Sequence, residues 1–202
     1  MKLYDYLPSG NGYKVRLLCA WLGLDYDYVP LDIHAGETRT DGFLAINPAG
    51  QIPVLVLDDG RALPESNAIL GYLAEGTRLL PDDPWDRAQA FRWLFWEQYR
   101  HEPSIAVARF IRAYAPEARA GELPALAAKG EAALRVMEEH LAARDWFVGE
   151  DPTIADVALY AYTHVAGEGG FDLGRYPAVT AWLARVAAQP GTVAITDHPG
   201  GA

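Results

Sequence analysis

Three short stretches carry side chains able to hold a small anionic ligand and tune its reactivity. The first, PSGNGYKVR, sets Ser9 and Asn11 between a strand-like run, KLYDYL, and a helix-like run, VRLLCAWLGL. Gly and Asn suit a tight turn there, and Ser or Asn caps a helix. The same hydroxyl and amide also suit an anion, because a helix N-terminus favours negative charge. The second stretch, Gln51-Ile52-Pro53, follows an NPAG turn and opens a strand. A trans proline on an edge strand and a cis peptide both fit this position. A cis bond would turn the Ile52 N–H and C=O outward, ready to pair with an extended peptide. The third, Glu65-Ser66, opens a helix. Ser66 can donate to a carboxylate with help from the helix dipole, and Glu65 can receive an ammonium. Together they offer partners for both halves of an amino-acid head group, although capping accounts for either residue taken singly.

The elements that must hold these residues follow from periodicity. KLYDYL alternates like a strand, and Val15, Leu17, Leu18 and Trp21 recur at helical spacing, with Gly23 as a stop. DYDYVPL reads as a second strand, and Thr38 to Ile46 as a weak helix or an irregular loop. IPVLVLDDGRAL reads as two strands joined by an Asp59-Gly60 hairpin turn, and Glu65 to Ala74 as a helix. The first two strands should form a right-handed parallel crossover and the last two an antiparallel hairpin, which gives a mixed sheet with helices on its faces. The carboxyl ends of parallel strands and the helix starts above them form the usual ligand crevice of such a layer.

After about residue 76 the period becomes helical. A linker is expected over 77–85 and an all-helical domain over 86–202, following an α/β domain over 1–76. Asp83-Pro84 reads as a helix start and Pro103 as a kink in a long aromatic-rich helix. Helices are expected from about Pro124 to Arg144, with Leu126, Ala133, Leu134, Met137 and Leu141 buried, and again from Thr153, where Asp156 completes a capping box. A last helix carries Val179, Trp182, Leu183 and Val186 on its apolar face. The tail HPGGA is expected to fray.

Composition narrows the function. The 202 residues are 50% apolar and 22% charged, as in an ordinary globular protein. A net charge of −10 argues against nucleic acid, whose binders need a basic face. No apolar run is long enough for a membrane span, and the start MKLYDYLPSG lacks the apolar region of a secretory signal. The single cysteine, Cys19, excludes an internal disulfide and suits a reducing compartment, so the reading is cytosolic; mid-helix, it reads as a buried, inert thiol. The five histidines show no ligand spacing, so no metal is expected.

Taken together, AINPAGQIPVL, the PESNAI that follows it, and TIADVALY in the helical half resemble the glutathione transferase family over nearly the whole chain. The resemblance implies an α/β, thioredoxin-like N-terminal domain followed by an all-helical C-terminal domain, paired as a homodimer. It implies glutathione as co-substrate, with no metal, and a small electrophile as second substrate. Ile52, ahead of a cis Pro53, would take the cysteinyl backbone of glutathione; Glu65 and Ser66 would take the γ-glutamyl head group. His34 and Gln51 would lie near the glycine carboxylate. Ser9 and Asn11 fall where the thiol-activating residue sits, and Ser9 is preferred over Tyr4 and Tyr6 because it stands at the strand–helix junction. One bacterial class has a cysteine where this chain has Gly10, so a mixed-disulfide route through the protein is closed.

The resemblance also implies that the segment WLFWEQYRHEPSIAVARF lines the second-substrate side, with His101, Glu102 and Arg109 as polar residues that contact substrate or reach a partner subunit's glutathione. A solvated face or an interface ion pair is the plainer account of those charges. The leading expectation is thiolate attack on a small hydrophobic electrophile. Glutathione-dependent reduction of peroxides or disulfides, and a non-catalytic binding protein of the same fold, are the alternatives.

Overall fold

The structure, a computed structural model, describes residues 1–199. The chain divides into two compact units, one of Met1–Glu75 with the segment from Pro190 onward, the other of Gly76–Gln189. This differs from the expected boundaries at two places. Residues 77–85 join the helical unit, because Leu79 and Leu80 are buried and the Leu79 carbonyl accepts from the Ile154 N–H at 2.9 Å. The tail joins the first unit, for reasons given below.

The first unit is built on a four-stranded sheet of order β2-β1-β3-β4, from β1 (Lys2–Asp5), β2 (Asp27–Pro30), β3 (Val54–Val56) and β4 (Ala62–Pro64). β1 runs parallel to β2 and antiparallel to β3, and β3 antiparallel to β4. The hairpin turn lies where Asp59-Gly60 signalled it, with Gly60 at φ 86° and its N–H bonded to the Leu57 carbonyl at 2.9 Å. Between β1 and β2 runs α1 (Gly10–Leu22); α2 (Asp41–Ile46) follows β2 and α3 (Ser66–Ala74) follows β4. Gly23 ends α1 at φ 63°, and the Leu24 N–H closes the end on the Cys19 carbonyl at 2.9 Å. Leu3, Val15, Cys19, Leu55 and Ile69 form the buried centre between α1, α3 and the sheet.

α1 is buried on more of its circumference than its apolar stripe requires: Tyr13, Lys14 and Arg16 are inside along with Val15 and Leu17. The tail covers part of it. The Tyr13 hydroxyl donates to the Val193 carbonyl at 2.7 Å, Arg16 Nη1 to the Ile195 carbonyl at 3.0 Å, and Trp21 Nε1 to Thr192 Oγ1 at 2.9 Å. His198 sits edge-on to Tyr28, with ring centroids 5.2 Å apart. The segment ahead of HPGGA is thus tied down, and of HPGGA itself the His198 ring meets Tyr28; Gly200, Gly201 and Ala202 lie outside the described residues.

The second unit consists of α4 (Pro84–Trp96), α5 (Glu102–Tyr114), α6 (Leu123–Leu141), α7 (Ile154–Thr163) and α8 (Pro177–Ala187). Between α4 and α5 the helix widens into a π turn over Glu97–His101. Pro103, in the first turn of α5, has no N–H to give and crowds the preceding turn, so the expected kink takes this form. At the start of α7 the capping box is complete: Thr153 Oγ1 accepts from the Ala155 N–H, and Asp156 accepts from the Thr153 N–H at 2.9 Å. Asp156 also accepts from the Phe147 N–H at 3.2 Å and from Trp182 Nε1 at 2.9 Å, which joins α7 to α8.

Candidate functional site

The register of the sheet brings two of the three stretches together. Val54 pairs with Pro64 across β3 and β4, so Ile52-Pro53 and Glu65-Ser66 lie at the same end of that hairpin. Tyr4 pairs with Val54, which sets the end of β1, and hence Ser9 and Asn11 beyond it, at the same edge. The N-termini of α1 and α3 both open there, each with backbone N–H groups directed outward.

Ser9 caps α1. Its Oγ accepts from the Gly12 N–H at 3.4 Å, which leaves the hydroxyl proton to be donated. Asn11 is half-buried, and its Oδ1 accepts from Ser66 Oγ at 3.4 Å, so one hydrogen bond spans the starts of the two helices. Ser66 is 5% exposed. Glu65 stands just before it at φ 72°, the one described non-glycine residue with a positive φ. Such a backbone costs on the order of 1–3 kcal/mol and is retained where surrounding structure imposes it.

Ile52-Pro53 is cis. The loop before it is held by Asn47, 5% exposed, whose Nδ2 donates to the Gln51 carbonyl at 2.8 Å and whose Oδ1 accepts from the Ala49 N–H at 3.2 Å. Gln51 itself is exposed. His34 is exposed on the loop after β2, its ring edge-on to Tyr6 at 5.7 Å.

Two residues here escaped sequence reasoning. Lys14 is 0% exposed, and its Nζ lies 3.4 Å from Ser66 Oγ and 3.4 Å from Asn67 Oδ1. Its position three residues after Asn11 on a largely apolar helix was the available signal. Asn47 was hidden in a stretch read only as a flexible turn.

His101 and Arg109, expected beside a second substrate, lie in the helical unit. His101 is 0% exposed, and its Nε2 sits 2.9 Å from Thr163 Oγ1. Thr163 spends its proton on the Leu159 carbonyl, so His101 Nε2 is the donor. The ring packs inside that unit. Arg109 Nε pairs with Glu168 Oε2 at 2.6 Å, an ion pair within the chain rather than the interface pair expected. Cys19 is 1% exposed, and burial pushes its thiol up to about 12, as suits an inert side chain. Among the described residues no three His, Cys, Asp or Glu side chains group to hold a metal, and no helix is long and apolar enough to cross a membrane.

A thioredoxin-like unit whose helix starts converge on a small polar cluster, in one chain with an all-helical unit, defines the class. Residues 1–75 match the N-terminal domain of glutathione S-transferase, and residues 95–190 match its C-terminal domain. The chain belongs to the glutathione S-transferase family. The crystal structure of a glutathione S-transferase from Pseudomonas fluorescens is 52% identical, with a TM-score of 0.95 over 97% of this chain and 98% of that one. The disulfide-bond oxidoreductase YfcG of Escherichia coli is 31% identical over 194 residues, 93% of this chain and 90% of its own. Yeast Ure2p in complex with glutathione superposes with a TM-score of 0.86 at 28% identity, over 94% of this chain and 90% of that one.

Proposed function

We propose that the chain is a glutathione transferase that activates the glutathione thiolate for attack on a small hydrophobic electrophile. The observation that carries this reading is the hydrogen bond between Ser66 and Asn11, which joins a head-group site to a thiol site across two helix N-termini. Ser66 and the start of α3 receive the γ-glutamyl carboxylate, and Glu65 receives its ammonium. The Ile52 backbone pairs with the cysteinyl residue, with Gln51 and His34 toward the glycine end. Ser9 and Asn11 donate to the sulfur, and the α1 N-terminus adds its partial charge. A free thiol titrates near pH 8.5, and each unit of lowering needs about 1.4 kcal/mol of preferential stabilisation, which two or three such donors supply. The thiolate then forms a carbon–sulfur bond while the electrophile's leaving group departs with the electron pair. The enzyme works as a cytoplasmic homodimer in this reading, as the family resemblance implies.

Reduction of disulfides by glutathione is the second reading, favoured by the likeness to a disulfide-bond oxidoreductase. Gly10 in place of a cysteine leaves that chemistry to glutathione itself.

Calorimetric titration with glutathione, followed by turnover assays with an activated aryl halide and with a mixed glutathione disulfide, tests both. Binding that Ser66→Ala weakens, with turnover that Ser9→Ala or Asn11→Ala lowers, is the expected result. Failure of the intact protein to bind glutathione would overturn both readings and leave a non-catalytic member of the fold.

A further inference from the structure

A lysine ammonium wholly inside a protein is costly to desolvate and is placed with care. Lys14 lies one helical turn beyond Asn11, and its Nζ reaches both Ser66 Oγ and Asn67 Oδ1 on the first turn of α3. The direction of these bonds is fixed by chemistry. An ammonium has only protons to give, so Ser66 Oγ must accept from Lys14. That leaves the Ser66 proton to be donated, and its neighbour is Asn11 at 3.4 Å. A donated proton needs the amide oxygen, so Asn11 turns Oδ1 toward Ser66 and keeps both Nδ2 protons for other partners.

We propose that Lys14 is a positioning residue for the thiol end of the glutathione site. It makes Ser66 Oγ an acceptor, so that the one hydroxyl proton goes to Asn11 Oδ1 and turns Nδ2 toward the sulfur, while a ligand carboxylate is left the Ser66 N–H at the start of α3. The inference rests on the glutathione-binding reading above and adds to it a link between head-group recognition and thiol activation. Lys14 touches neither the sulfur nor the electrophile; it acts through Ser66 and Asn11. Without it the Ser66 hydroxyl is free to rotate, and the Asn11 amide can flip to set its oxygen against the thiolate, where it would repel the charge.

The test uses the full-length protein and titrates the thiol of bound glutathione by its thiolate absorbance in the ultraviolet, alongside calorimetric affinity and melting temperature. Lys14→Met keeps the apolar stem and removes the charge. It should raise the pH midpoint of the bound thiol by about one unit and weaken glutathione about tenfold, while Lys14→Arg restores much of both. Ser66→Ala cuts the same chain with little risk to folding, should produce a similar rise in midpoint, and should be non-additive with Lys14→Met. A lysine that only packs would lower the melting temperature of Lys14→Met and leave the midpoint where it was; that outcome overturns the proposal. Should Lys14→Met not fold, an unchanged midpoint in Ser66→Ala overturns it equally. Wild-type protein that binds no glutathione removes the proposal together with the functional reading, whereas wild-type binding with unmoved midpoints in the variants removes the proposal alone.

Discussion

The Asp5 carboxyl occupies the space that a side chain at residue 12 would need: a Cβ built on Gly12 would collide with both carboxylate oxygens. This explains the second glycine of the SGNG stretch, which is there for close approach rather than for unusual backbone angles. Asp5 is 0% exposed and takes Arg16 Nε at 3.1 Å. Arg16 in turn holds the Leu7 and Ile195 carbonyls at 2.6 and 3.0 Å.

Gly12→Ala should therefore displace Asp5 from Arg16 and destabilise the protein by roughly 3–5 kcal/mol, the range for breaking a buried pair. Urea unfolding measures it. A loss of less than about 1 kcal/mol would mean that the carboxyl moves aside freely.

Burial pushes the Asp5 carboxyl from 3.8 up to about 7, against the pull of Arg16 and of the Tyr6 backbone. A proton held more tightly in the folded state contributes stability that is complete below 3.8 and disappears as the pH climbs to about 7. Stability should fall across that window, and Asp5→Asn, which does not titrate, should show a flatter profile. Asp156, also raised by burial to about 6, is common to both proteins and cancels in the difference. Parallel profiles would show that Asp5 keeps an ordinary titration.

Glu65 is held at φ 72°, where glycine is at ease and glutamate is not. Glu65→Gly should leave stability unchanged or raise it by up to about 1 kcal/mol while weakening glutathione binding. Thermal melts and calorimetry on the same preparation separate the two effects. A variant less stable but equally good at binding would place the value of Glu65 in the fold.

In the helical unit, Asp156 collects the N–H groups of Thr153, Phe147 and Trp182. Asp156→Ala strands three buried donors at once and should cost about 3 kcal/mol or more. Denaturant unfolding followed by tryptophan fluorescence would report it; a mild loss would mean that water replaces the carboxylate.

Features that rest on close neighbours along the chain were legible in the sequence itself. The Asp59-Gly60 hairpin, the Asp83 cap, the Thr153–Asp156 capping box and the Gly23 stop each depend on residues within a few positions of one another. The paired placement of Asn11 and Ser66 was reached by resemblance, since nothing local brings residues 11 and 66 together. The burial of Tyr13, Lys14 and Arg16 was not legible at all. What covers two of them lies some 180 positions away at Val193 and Ile195. The tail that does so has no periodicity to announce it. The surroundings of His101 and Arg109 were illegible for a related reason: a polar side chain in an apolar segment looks the same whether it faces a ligand, Glu168 or the interior.

Because Tyr13, Arg16 and Trp21 wait for residues 192–195, the first unit is discontinuous in the chain. A growing polypeptide emerging from a ribosome displays α1 long before its last partners exist, and at about 5–20 residues per second the delay lasts many seconds. The first unit to appear is accordingly the last to be completed. Vectorial synthesis gives it no head start, and a ribosome that stops at residue 189 would release the whole helical unit together with a first unit whose α1 still lacks its cover.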